Sequence, residues 1–188
     1  MKVEPAAQRS PQMTYEGVRN VIQRTYPAYD VEIREGEYHI VAPHDFVSSN
    51  IVIRFGSRLS AWVEPRKLGS VFDSNGGIVF DDGDKMAPDL TYVSRERLPV
   101  IPRSFAHVVP EIVVEVRSSR QTERATRRKL ETLLAKGVDV GVYIDPGTHL
   151  VEIHRVGVAP RNVASGEVVE FPEVLPGFGF VVDELWPE

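Results

Sequence analysis

The stretch 111–144, EIVVEVRSSRQTERATRRKLETLLAKGVDVGVYI, decides the fold. It opens on Ile112-Val113-Val114-Glu115-Val116, a nearly unbroken apolar run of the kind found in a strand covered on both faces. A polar helix is expected from about Thr122 to Lys136, closed by Gly137, a residue suited to the position after a helix. A second apolar strand, Val138 to Ile144, follows at once. Strand, helix and strand at this length make a βαβ-like crossover.

The flanks read as antiparallel hairpins. Thr14 caps an expected helix to about Thr25, stopped by Pro27. Strands at Asp30 to Arg34 and Tyr38 to Val41 are joined through Glu35-Gly36. An amphipathic helix is expected from about Val47 to Val63, with Ile51, Ile53, Phe55, Leu59 and Trp62 as its apolar positions. Short strands follow near Ser70 to Phe72, Gly77 to Phe80 and Asp89 to Val93, with turns at Asn75-Gly76 and Asp82-Gly83. Beyond Ile144, Asp145-Pro146-Gly147 turns the chain into Leu150 to His154. The fold class is therefore α/β (α+β): a mixed β-sheet core flanked by helices, with an N-terminal helix and β-hairpins.

A length of 188 residues, 42% hydrophobic, suits one domain, residues 13–188, after a loose tail, residues 1–12, that carries two prolines. No apolar run approaches the roughly 20 residues of a membrane span, and the first residues lack a signal peptide's apolar stretch. The expectation is a cytoplasmic protein with no membrane partner. The absence of cysteine excludes disulfides, thiolate zinc sites and cysteine nucleophiles. A net charge of −5 argues against a general nucleic-acid coat protein. Locally, however, Arg117, Arg120, Arg124, Arg127, Arg128 and Lys129 face the single acid Glu123, a run suited either to phosphate contacts or to a solvated helix face.

Glu115 carries the chemistry. A carboxylate inside an apolar strand is paired, metal-bound or protonated. One partner is Arg117, which the period of two places on the same face. Asp89, at the start of another strand, offers a second carboxylate, and two carboxylates meeting at one point repel unless a cation lies between them. Magnesium is the natural hard cation. Lys129, on the helix after the Glu115 strand and in line with Ala125 and Leu133, borders the buried face, where its ammonium is able to orient a water or neutralise phosphoryl charge. Asp81, Asp82 and Asp84 crowd a hairpin turn without the spacing of a calcium loop and read as solvated turn residues. The histidines His39, His44, His107, His149 and His154 lack a metalloprotease spacing, and neither a P-loop nor a nucleophile elbow is present.

Taken in order, Glu32 with Gly36-Glu37, Pro88-Asp89, Pro110 to Ser118, Lys129, Gly137-Val138, Ile144-Asp145-Pro146 and Leu175-Pro176-Gly177-Phe178 resemble the Uma-type family of bacterial restriction-endonuclease-like proteins. That family is a branch of the PD-(D/E)XK nuclease superfamily, and the similarity runs from Met13 to Trp186. The resemblance implies a magnesium (or manganese) site held by Asp89, Glu115 and the carbonyl of Val116. Lys129 stands for the superfamily lysine, displaced to the following helix, and Glu32 is an auxiliary acid. The implied activity is metal-dependent hydrolysis of DNA by an endonuclease, with Arg117, Arg120 and Arg124 as phosphate contacts and a homodimer suited to cutting both strands. The chain departs from the family pattern at Arg117, Ser119, Ala125, Leu133, Val142 and Ser48, which stands where a histidine is usual. These departures frame the alternative, a catalytically impaired nuclease-fold module that binds nucleic acid or a protein partner.

Overall fold

The computed structural model describes residues 13–187; the expected tail, residues 1–12, lies outside the described residues. Helix α1 (Tyr15–Thr25) is capped by Thr14, whose hydroxyl oxygen accepts from the Gly17 N–H. Strands β1 (Asp30–Arg34) and β2 (Glu37–Val41) form the expected hairpin. Glu35 and Gly36 both have positive φ, 53° and 77°, as the tight turn between twisted strands requires. Helix α2 (Phe46–Val63) follows, then β3 (Gly69–Asp73), β4 (Ile78–Val79), β5 (Lys85–Met86), β6 (Leu90–Ser94) and β7 (Ala106–His107). The deciding stretch folds as β8 (Ile112–Val116), α3 (Glu123–Ala135) and β9 (Val140–Asp145), and β8 and β9 pair in parallel as the crossover predicts. The chain continues through β10 (Leu150–Arg155), β11 (Val158–Asn162), β12 (Val168–Glu170) and β13 (Gly179–Val181).

The main sheet is mixed, with strand order β11-β10-β9-β8-β6-β3; a second sheet has order β2-β1-β5-β4-β7, and β12 pairs with β13. Side-chain parity along β8 divides the core. Ile112, Val114 and Val116 join Ile51, Phe55, Leu59 and Val63 of α2 and the aromatic residues Phe171, Phe178 and Phe180 on one face. Val113 points the other way, to Leu130 and Leu133 of α3, to Tyr143 and to Ile78, Phe80 and Met86 of the second sheet. Ile53, read with the α2 stripe, is instead 65% exposed, because two residues beyond Ile51 is about 200° around the helix.

One turn reading is corrected. Asp81 and Asp82 are exposed as expected, but Asp84 is buried. Its carboxylate accepts from the N–H groups of Glu35 (2.6 Å) and Gly36 (2.9 Å) and pairs with Lys136 at 2.6 Å. Asp84 thus anchors the positive-φ turn of the β1–β2 hairpin to the end of α3. Its burial depends on contacts 48 and 49 residues away, which the local Asp-rich pattern does not contain.

Candidate active site

Asp89 and Glu115 meet because of strand register. β6 and β8 are antiparallel with Leu90 opposite Val114, so one further step sets Asp89 opposite Glu115, on the face turned to α3. The next step sets Pro88 opposite Val116. The Arg117 N–H donates across to Ile144 of β9 (2.8 Å), so Val116 faces β6, where its N–H donates to Asp89 Oδ2 at 2.7 Å. Pro88 has no N–H to return to the Val116 carbonyl, which leaves the strand on the same side.

Lys129 completes the cluster. Its Nζ lies 2.8 Å from Glu115 Oε1 and 3.1 Å from Glu32 Oε1, and it donates to the Ala87 carbonyl at 2.9 Å. It does more than border the buried face: Lys129, Glu115 and Glu32 are 4%, 1% and 3% exposed. Glu32, on β1, also accepts from the Ala87 N–H (3.0 Å) and from Arg34 (2.5 Å). The segment Ala87-Pro88-Asp89 is therefore gripped from β1, from β8 and from α3. The contact between Lys129 and Glu115 Oε1 is an ion pair without hydrogen-bond alignment, and that buried oxygen has no hydrogen-bond partner.

Burial pushes the Glu115 carboxyl up to about 8; Lys129 draws it down, while Asp89 and Glu32 push it further up. Burial pulls the Lys129 ammonium down, but Glu115, Glu32 and Asp89 overcome it and hold its pKa above the ordinary value. His44 Nε2 lies 2.9 Å from Asp89 Oδ1, and that hydrogen bond raises the imidazole pKa against its burial. Asp45, the N-cap of α2, accepts from the N–H of Ser48 (2.9 Å) and of Ser119 (2.7 Å). Burial works against its charge, yet these backbone donors bring it down to about 2.

Arg117 does not pair with Glu115. Parallel register sets Val116 beside Ile144, and the guanidinium one residue on meets Asp145 through two contacts, 2.8 and 2.6 Å. This cross-strand carboxylate is nearer than one on the same strand that is committed to α3. Arg120 and Arg124 are exposed, and no carboxylate pairs with either among the described residues. Arg127 pairs with Glu152 and Glu123, and Arg128 with Glu35; with Arg117 and Lys129 also paired, the expected basic run keeps only Arg120 and Arg124 without a carboxylate partner among the described residues. His44, Asp45 and the Ala87 carbonyl are site neighbours that sequence reading did not single out. Asp45 alone had a local signal, an Asp before a helix with Ser three residues on.

Among the described residues no group of three or more His, Cys, Asp or Glu side chains is placed to hold a metal. Two opposed carboxylates, a buried Glu115 oxygen held only by its ion pair with Lys129, and a carbonyl deprived of its ladder donor nevertheless suit magnesium. That ion commonly takes one or two carboxylates and keeps waters or substrate oxygens for its other positions. A cleft of about 380 Å³ opens beside the cluster, lined by Glu32, His44 and Asp89 together with Ser49, Val52 and Ile53 of α2.

Residues 20–183 match the family model described as "Uma2: Putative restriction endonuclease". A crystal structure from Anabaena variabilis, described as that of a putative nuclease belonging to DUF820, is similar at a TM-score of 0.73 and 18% identity. The match covers 83% of this chain and 89% of that one, and shows a shared restriction-endonuclease-like fold. No curated protein matches. No helix among the described residues is long and apolar enough to cross a membrane.

Proposed function

The chain belongs to the Uma2 family of putative restriction endonucleases, and from that premise we propose that it is a divalent-metal-dependent endonuclease that hydrolyses DNA phosphodiester bonds. The observation that carries the reading is the opposition of Asp89, which lines the cleft, and the buried Glu115, with Lys129 buried between Glu115 and Glu32. Asp89, Glu115 and the Val116 carbonyl would hold magnesium or manganese. The bound metal would supply a water of lowered pKa and stabilise charge on the scissile phosphate.

The chain's own residues set up that chemistry. Val116 N–H and His44 fix the two oxygens of Asp89. The Lys129 ammonium donates to the Ala87 carbonyl and forms ion pairs with Glu115 and Glu32. Lys129 then acts by holding two acids in place and by balancing their charge. The α3 segment offers Arg120 and Arg124 to phosphates, while Arg117 is held by Asp145.

Magnesium-dependent nicking of supercoiled plasmid by the wild type, lost in Asp89→Ala, is the expected result. Nicking that persists in EDTA or in the mutant overturns the assignment. One observation favours a second reading, a nuclease-fold module that binds without cutting: Lys129 and Arg34 already offset the buried acids without a metal. Salt-sensitive DNA binding with no cleavage in magnesium or manganese selects it.

A further inference from the structure

Phe46, the first residue of α2, exposes 96% of its surface, although His44 before it is tied to the acid cluster and Asp45 to the loop after β8. His44 contacts Asp89, and Asp45 accepts from Ser119 on the loop that leaves the Glu115 strand. Two residues beyond Phe46, Ser48 donates to the Arg117 carbonyl at 3.3 Å. The loop before α2 and the loop after β8 are thus stapled together at two points. Phe46 stands next to one staple, and Arg120, exposed and without a carboxylate partner among the described residues, stands next to the same one. Seven residues on, Ile53 lies on the Phe46 side of α2, 65% exposed, and lines the same cleft as Glu32, His44 and Asp89. An exposed aromatic side chain and an unpaired guanidinium, each one residue from the Asp45–Ser119 staple that adjoins the acid cluster, match a nucleotide in both its parts: a flat apolar base and an anionic phosphate.

We propose that Phe46 and Arg120 form the substrate rim of the site, Phe46 stacking on an unpaired base of the nucleic-acid strand and Arg120 holding a neighbouring phosphate. This deepens the endonuclease reading and rests on it. Arg120 and Arg124 attract the carboxylates of an acid-rich apolar peptide as they do phosphates, so the base contact is what separates the two occupants.

The probes are a fluorescently labelled thymidine oligonucleotide and an abasic oligonucleotide of the same length, bound in calcium and followed by anisotropy. The wild type binds the thymidine strand more tightly than the abasic one, by about tenfold, within the range that one aromatic stack contributes. Phe46→Ala removes most of that preference, leaves abasic affinity within about twofold, and leaves the melting temperature unchanged because no core contact is lost. Phe46→Trp keeps the preference. Arg120→Gln weakens both probes alike and lowers the salt slope by about one. Equal binding of both probes by Phe46→Ala and wild type overturns the proposal while the nuclease reading stands, and so does an equal loss on both probes. A self-association seen by light scattering and abolished in Phe46→Ala, with base preference intact, would assign the surface to a second copy instead and also overturns it. A wild type that neither binds either probe nor nicks plasmid overturns the nuclease reading, and the rim falls with it.

Discussion

Replacing Glu115 by Gln keeps the side chain's shape and removes one buried charge. The consequence for stability follows from where its proton sits. In the folded chain burial holds the carboxyl up to about 8, against an ordinary value of 4.5, so the folded state keeps a proton that the unfolded state releases. A group with a raised folded pKa contributes stability that is fully present below about 4.5 and is lost as the pH climbs through about 8. That interval, at about 1.36 kcal/mol per pH unit, is worth on the order of 5 kcal/mol. Gln has no such loss. Lys129 is not stranded by the change, because Glu32 at 3.1 Å and the Ala87 carbonyl remain. In EDTA the two proteins should therefore melt close together at pH 5, and at pH 9 Glu115→Gln should melt higher by roughly 10 °C, given about 2–4 °C per kcal/mol for a chain of this size. Groups common to both cancel in the difference. Magnesium at about ten times its dissociation constant should raise the wild type by roughly 1.4 kcal/mol and the mutant little. Differential scanning calorimetry across this pH range decides the matter. A mutant that melts below the wild type at pH 9 in EDTA would overturn this prediction, because the ionised carboxylate would then be stabilised by Lys129 by more than its burial costs.

Lys129→Met should abolish magnesium-dependent cleavage and, unlike Asp89→Ala, should also destabilise the protein by about 3–5 kcal/mol at pH 9, where Glu115 is ionised and it and Glu32 both lose their shared cation; urea melts at that pH and plasmid nicking measured together check both halves. Asp84→Ala removes two backbone hydrogen bonds and the Lys136 pair, and should lower unfolding free energy by about 2–4 kcal/mol with the largest rise in amide exchange at Glu35 and Gly36; an unchanged urea midpoint would show that the turn holds itself. Arg117→Ala, which breaks a pair with Asp145 rather than with Glu115, should lower the cleavage rate only several-fold, and a loss as complete as that of Lys129→Met would make Arg117 the catalytic cation.

What the sequence made legible were features whose cause is local or periodic. The apolar runs of β8 and β9 and the polar segment between them carry their own parity and length, so the parallel crossover could be read directly, as could the Glu35-Gly36 turn. Asp89 and Glu115 were legible as a pair for a subtler reason: a charge on a strand buried on both faces demands a partner, and few acids begin a neighbouring strand. The partner of Arg117 was not legible. Its choice between Glu115 and Asp145 turns on whether β8 and β9 align at Val116 and Ile144, a register that no property of residues 115–117 encodes. Asp84 and His44 were hidden for the same reason. Each lies in a loop whose composition is ordinary, and each acquires its role from a group 45 or more residues away in the chain. The strands β11, β12 and β13 went unread because β11 and β12 are largely exposed, and β11 carries Pro160 on the edge of the main sheet, so burial does not impose a clear apolar alternation on them. Buried positions thus record their environment in residue type, while positions at the rim of the site record it only through the fold. That asymmetry places the acids of the cluster within reach of sequence and leaves Phe46, an exposed aromatic at a helix start, to be recognised from what is stapled beside it.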